Sequence, residues 1–243
     1  MTELSLSIVI PAYNEANRLP SYLTQILSYL KEERIGAEII VVDDGSRDGT
    51  AAVVREFCRL NARVRLISLP RNRGKGHAVR TGMLEAAGDL ALFADADGAT
   101  PIAELKRLEK AIAGGADVAI ASRAHHDECC TLRVHLHRKV IGTIFNFLVT
   151  TLAVPGIRDT QCGFKLFRRD AARAVFARQL IDDFGFDVEV LFLCKKLGYL
   201  TAEIPVSWSD VKGSKVSLWR DSLRMFADIF IVRLNEARGA YRS

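Results

Sequence analysis

The 243 residues contain no Cys-x-x-Cys pair, no internal repeat, no low-complexity tract and no run of the ~20 apolar residues that a membrane-spanning helix needs. The five cysteines (Cys58, Cys129, Cys130, Cys162, Cys194) are odd in number and scattered, which argues against a disulfide framework and for reduced thiols in a cytosolic setting. His125, His126, Cys129 and Cys130 crowd one stretch, but their spacing matches no zinc ligand set and reads better as a mobile loop. The longest uncharged stretch, Val140 to Val154, is interrupted by Thr143, Asn146, Thr150 and Thr151. Met1-Thr2-Glu3 runs straight into a strand pattern, without the basic and apolar regions of a secretory signal. Neither a signal peptide nor a transmembrane helix is expected.

Glycine is missing where a dinucleotide fold requires it. The loop after the first apolar run is Pro11-Ala12-Tyr13-Asn14-Glu15, with no glycine to admit a pyrophosphate, so a Rossmann dehydrogenase is excluded. Arg71-Asn72-Arg73-Gly74-Lys75-Gly76 fails the Walker pattern, because Leu69 stands at the first glycine position and Gly76 replaces the magnesium-binding Ser or Thr. An EF-hand after Asp95 is excluded by Ala99, Thr100 and Lys106.

What is present is a globular composition, 49% apolar with both charge signs, and an alternation of strand and helix patterns. Apolar runs at Leu4–Ile10, Ile39–Val42, Val64–Leu69, Leu90–Ala94 and Val118–Ala121 read as strands, with Pro11 ending the first. Helices are expected from Asn17–Pro20 to Leu30, from Asp48 or Thr50 to about Leu60, over Lys75–Ala87 and over Pro101–Ala113. The pattern implies right-handed βαβ units, a mostly parallel sheet, and ligands at the carboxyl ends of the strands. Beyond Ser122 the alternation stops: Val134–Val154 reads as helix, Cys162–Phe167 as strand, Phe186–Leu197 as helix, Thr201–Val206 as strand, Trp208–Ser217 as a polar loop and Leu218 to about Ala237 as a long helix.

The strand Leu90–Ala94 ends in Asp95-Ala96-Asp97-Gly98, two carboxylates one residue apart that on a strict strand point to one face. Hard oxygen ligands favour Mg²⁺ or Mn²⁺ bridging phosphate oxygens. A haloacid-dehalogenase phosphatase also opens on Asp-x-Asp-Gly, but it wants Thr after the Gly and the motif on its first strand. Tyr13, Asn14 and Glu15 offer a stacking face and hydrogen-bonding groups for a base and ribose, Asp44 a carboxylate for a base or ribose hydroxyl, and Lys75 a charge partner for an anionic donor.

These loops together resemble glycosyltransferase family 2 with the GT-A fold, an α/β architecture with a mostly parallel central sheet. Ile157-Arg158-Asp159-Thr160-Gln161-Cys162-Gly163-Phe164-Lys165-Leu166-Phe167, then Phe186-Asp187-Val188-Glu189, then Val206-Ser207-Trp208 with Lys212-Gly213-Ser214-Lys215, look like its dolichyl-phosphate β-glucosyltransferase branch. The resemblance implies one domain over 1–243, with 1–122 the nucleotide-sugar half and 123–243 the acceptor half. It further implies transfer of a hexose, glucose from UDP-glucose first, onto a dolichyl or polyprenyl phosphate, with inversion. Pro11, Ala12, Tyr13, Asn14, Glu15, Asp44, Lys75, Asp95, Ala96, Asp97 and Lys215 are then the donor residues, Asp95 and Asp97 the metal ligands, and Arg123 and Arg138 the acceptor-phosphate residues. Asp159 is a base or orienting group beside the catalytic Asp97 and Arg123, and Asp187 and Glu189 either position the sugar or cap their helix. GDP-mannose as donor, a soluble saccharide as acceptor, and a non-catalytic nucleotide-sugar module at a membrane surface are the competing readings.

A lipid acceptor requires a membrane surface, and nucleic acid is not an expected partner. The net charge of +5 suits an anionic one, and the segment Lys212–Ser243, with seven Lys or Arg against three Asp or Glu, carries most of it. Trp219, Leu223, Phe226 and Phe230, with Arg220, Arg224 and Arg233 nearby, give the last helix the pattern of an interfacial basic helix, and packing on the core is the alternative. Val140–Val154, with Phe145, Phe147 and Leu148, is a second candidate. Peripheral attachment on the cytoplasmic side is expected; oligomeric state is left open.

Overall fold

The computed structural model describes residues 5–124, 132–133, 154–209 and 218–241, with 132–133, 218–226 and 229 described in backbone only. Seven strands form one sheet: β1 (Leu6–Ala12), β2 (Ala37–Asp43), β3 (Val64–Ser68), β4 (Leu90–Ala94), β5 (Val118–Ser122), β7 (Phe164–Arg168) and β8 (Thr201–Pro205), in the order β3-β2-β1-β4-β7-β5-β8. A separate short parallel pair joins β6 (Leu132–Arg133) to β9 (Trp208–Ser209). The helices are α1 (Leu19–Glu32), α2 (Thr50–Leu60), α3 (Lys75–Glu85), α4 (Leu105–Ala113), α5 (Arg169–Phe176), α6 (Phe186–Lys196) and α7 (Leu218–Ala237).

Strand period two sorts the core into two layers. Ile8, Ile10, Ile39 and Val41 turn to one face with Leu23 of α1, Val54 of α2 and Leu108 of α4. Val9, Ile40 and Val42 turn to the other with Val79 of α3, Val175 of α5, Leu191 of α6 and Val232 of α7. Neighbours in the first half are parallel, as expected, but β7 enters antiparallel between β4 and β5. The second half therefore extends the same sheet, β7 from within and β8 at the edge beside β5.

The strand and helix boundaries differ from the sequence reading in instructive places. β1 runs on through Pro11 to Ala12 on its β2 side, while its pairing with β4 stops at Val9, so Pro11 stands where the β4 side has no ladder partner to lose. Pro101 precedes a 3₁₀ turn at Ile102–Glu104, and the α-helix begins only at Leu105. Asp48 Oδ1 accepts the Thr50 N–H at 2.9 Å, while Gly49 takes the N-cap position. Helix α5 follows β7 without a loop and carries no expected counterpart. Residues 125–130 and 134–153, Arg138 among them, lie outside the described residues, as do Lys215 and the side chains of Trp219, Arg220, Leu223, Arg224 and Phe226.

Candidate active site

The carboxyl ends of β1, β2, β4 and β5 lie along one edge of the sheet, where open α/β folds bind ligands. Two loops there are stitched together by side chains from neighbouring turns. The Ala12 carbonyl accepts the Asp44 N–H at 2.8 Å. Asn14, at a positive φ of 54°, donates its N–H to Ser46 Oγ at 2.9 Å and accepts the Arg47 N–H on Oδ1 at 2.8 Å. Glu15 donates its N–H to Thr50 Oγ1 at 2.7 Å and holds Arg18 through two carboxylate–guanidinium bonds of 2.7 and 2.5 Å. Tyr13 is left half-buried at the lip.

Asp44 is more of a scaffold than its sequence pattern implies. It is buried, and both its oxygens accept backbone N–H groups of the next loop, from Arg73 at 2.8 Å and Gly74 at 2.9 Å. Burial pushes its carboxyl up, and those two bonds offset only part of the rise. The consequence is that β2 fixes the start of α3, and so fixes Lys75. Lys75 Nζ lies 2.7 Å from Asp95 Oδ1 and 5.3 Å from the Phe93 ring centroid. Burial works against its charge, but Asp95 and then Asp187 more than compensate, so Lys75 is held as an ammonium.

β4 stops at Ala94, so Asp95 and Asp97 sit in the following turn rather than on a regular strand. They still line one small cavity, together with Tyr22, Thr100, Phe164 and Trp208. Ala96 between them is buried. Asp95 donates its N–H to the Gly163 carbonyl at 2.9 Å, and a Cβ at Gly163 would stand 2.0 Å from Asp95 Oδ2. Only glycine lets that chain pass. Asp97 Oδ1 accepts the Ala99 N–H at 3.1 Å. Burial, then the like charge of Asp95, raises its carboxyl above the usual range, the electrostatics of a pair that a cation relieves. Among the described residues no three or more His, Cys, Asp or Glu side chains form a complete metal cage. Two carboxylates are hard oxygen donors that suit Mg²⁺ or Mn²⁺, ions that take the rest of their ligands from water and phosphate oxygens.

Arg123 and Asp159 meet beside Trp208, which lines the same cavity. Asp159 accepts the Arg123 backbone N–H at 2.8 Å, Nε at 2.7 Å and Nη2 at 2.9 Å, and the guanidinium lies 5.4 Å from the Trp208 ring centroid. Glu203 accepts the N–H groups of Arg158 and Asp159 at 2.9 and 2.7 Å and the Ser122 hydroxyl at 2.7 Å, which locks the loop. Burial would raise the Asp159 carboxyl, but Arg123 outweighs it and holds it below its ordinary value. A carboxylate so engaged orients an arginine and is a poor proton acceptor. Its folded-state value lies below the unfolded ~3.9, so its stabilisation is present above about pH 4 and is lost as pH falls through the folded value. Asp159→Asn should therefore lower stability at neutral pH and flatten the acid limb of a stability–pH curve, as denaturant unfolding at stepped pH would read.

Asp187 and Glu189 both turn inward. Asp187 pairs with Lys165, each about 1% exposed, and Lys165 also donates to the Cys162 carbonyl at 2.9 Å. Glu189 accepts the Leu180 and Ile181 N–H groups and the Tyr241 hydroxyl, at 2.7 Å for the last, so it ties α6 to the chain beyond α7 and not to a ligand. Sequence reasoning missed Arg18, Tyr22 and the buried role of Lys165; a lysine inside an otherwise apolar strand is the signal that was available for the last.

Residues 7–176 match the model of the family described as glycosyl transferase family 2. The chain is 41% identical over 252 residues to the dolichyl-phosphate beta-glucosyltransferase of Drosophila melanogaster and 40% identical over 250 residues to that of Homo sapiens, covering 98% of this chain and 77% of each relative. In three dimensions it is similar to glucosyl-3-phosphoglycerate synthase from Mycobacterium tuberculosis in complex with Mn²⁺ and UDP-glucose, with a TM-score of 0.67 at 18% identity over 96% of this chain and 78% of that one. The fold is that of the GT-A glycosyltransferases, and the chain belongs to glycosyl transferase family 2.

Proposed function

We propose that this protein is an inverting, metal-dependent hexosyltransferase that moves glucose from UDP-glucose onto the phosphate of a dolichyl or other polyprenyl phosphate. The observation that carries this is the identity of about 40%, over 98% of this chain, to enzymes named for that transfer; the grouping of Asp95, Asp97 and Lys75 at one end of the sheet supports it. A solved neighbour of the same fold binds Mn²⁺ and UDP-glucose, which supports the donor.

In such a reaction an acceptor phosphate oxygen attacks C1 of the sugar and UDP leaves. A phosphate monoester has its second pKa near ~6, so the nucleophile is already largely ionised at neutral pH. No strong general base is required, which fits an Asp159 fully occupied by Arg123. Asp95 and Asp97 would hold Mg²⁺ or Mn²⁺, which when bound would supply charge neutralisation for the departing diphosphate. Lys75 adds a second positive group from the floor of the site. Arg123 spends Nε and Nη2 on Asp159 with its guanidinium over the Trp208 ring, and in this reading the rest of its fork would serve the acceptor phosphate. Arg138 and Lys215 complete the expected acceptor and donor sets.

The lipid acceptor calls for a surface contact. No helix among the described residues is long and apolar enough to cross a membrane. On α7, Val232 and Asp228 pack inward, whereas Phe230, Ile231 and Leu234 are 56%, 42% and 46% exposed, with Arg233 and Arg238 on the same exposed stretch. Core packing and an outward apolar face thus coexist, and the outward face suits interfacial attachment. Free thiols at Cys58, Cys162 and Cys194 fit a cytoplasm-facing side. Sedimentation with anionic vesicles should carry the protein down at low salt and release it at high salt; protein that stays in the supernatant at low salt contradicts the attachment.

The test of the reaction is nucleotide release by the purified protein with Mn²⁺. UDP should be released from UDP-glucose only when dolichyl phosphate is added. Release driven by a soluble saccharide, or from GDP-mannose alone, would replace this acceptor or this donor.

A further inference from the structure

Arg18 stands at the N-cap of α1, beside Glu15 of the first loop. Its Nε and Nη2 are held by Glu15, while Nη1 is buried and makes no hydrogen bond. A buried guanidinium N–H without an acceptor is rare and costs free energy unless some state of the protein uses it. The next turn of the same helix face shows where that corner of the molecule lies. Tyr22, four residues on, is buried with its ring against Gly98, the residue after Asp97, so closely that a Cβ there would meet the ring at 2.8 Å. Gly98 also takes a φ of 66°. The start of α1 is thus packed on the Asp95–Gly98 turn. After Glu15, Asp97 and Asp95 are the carboxylates whose charge bears on Arg18, and Arg18 in turn acts against the rise of Asp97.

We propose that Arg18 is a positioning residue that couples the nucleoside loop to the metal carboxylates, its planar fork held by Glu15 on one edge and presented to Asp97 on the other. This rests on the donor reading given above, in which Glu15 serves the nucleoside and Asp97 the metal. With Arg18 between them, occupation of either place orders the other. Metal and nucleotide then strengthen each other's binding through the protein as well as by direct contact, and that coupling is reciprocal. A lysine keeps the charge but cannot engage two carboxylates along two edges.

The experiment is isothermal titration of UDP with and without Mn²⁺, and of Mn²⁺ with and without UDP, for the unaltered protein, Arg18→Met and Arg18→Lys. The factor by which Mn²⁺ strengthens UDP binding should fall about tenfold in both variants, with UDP affinity in the absence of metal staying within about threefold; such coupling factors ordinarily span roughly 5- to 150-fold. Circular dichroism identifies a variant that fails to fold, and the lysine variant then decides alone. An unchanged coupling factor overturns the proposal, and so does an equal loss of UDP affinity with and without metal, which assigns Arg18 to the Glu15 loop only. Failure of the unaltered protein to bind UDP at all overturns the donor reading and this proposal with it.

Discussion

Asp97→Asn is expected to lower the rate of glucosyl transfer by about three orders of magnitude, or ~4 kcal/mol of transition-state stabilisation, with a small gain in stability. Asparagine retains the volume and the Oδ1 that accepts the Ala99 N–H, so the turn survives. What goes is one of two negative charges in a site that has no third carboxylate, histidine or thiolate among the described residues to take its place. The raised carboxyl of Asp97 gives the effect on stability a sign: with the like charge of Asp95 relieved, the folded protein should be slightly more stable at neutral pH. Lost transfer with gained stability is a combination that general damage to the fold would not produce. Steady-state kinetics and denaturant unfolding on the same preparation check both halves.

The second large effect belongs to Lys165 and Asp187. Both are about 1% exposed, and Lys165 also lies 5.6 Å from the Phe93 ring centroid. Burial raises the Asp187 carboxyl despite the opposing Lys165, which means that desolvation outweighs the attraction. Removing one partner leaves the other charge buried without compensation, a loss of roughly 3–5 kcal/mol. Lys165→Met alone and Asp187→Asn alone should therefore each shift the unfolding midpoint strongly. Lys165→Met combined with Asp187→Leu should recover most of the loss, because two apolar groups of similar volume remove both desolvation costs. A double variant as unstable as the sum of the singles would show that the two residues act independently.

Most of the fold of residues 5–122 was legible because its signals are local. An apolar run that ends in two acids marks a buried strand and its polar end, and β4 stops just before Asp95 and Asp97, which line one small cavity. The insertion of β7 was not legible: strand direction after a long excursion is set by tertiary pairing, and nothing in Phe164–Arg168 encodes it. Helix α5 escaped because it is eight residues long, begins where β7 ends and has no side-chain cap to mark it. Pairings across long sequence separations were equally hidden. Asp159 with Arg123, Asp44 with the Arg73–Gly74 backbone and Glu189 with Tyr241 are each 29 or more residues apart, and in every case the partner changes an acid from a free ligand group into a fixed one. Such residues look identical in sequence to those that face a substrate.

The most direct test of the central claim is transfer of radiolabelled glucose from UDP-glucose in detergent with Mn²⁺ and dolichyl phosphate. Label that moves into the organic phase, requires the lipid and vanishes with Asp97→Asn is the result expected. Label that stays in the aqueous phase while the protein still binds UDP would contradict transfer to a lipid phosphate.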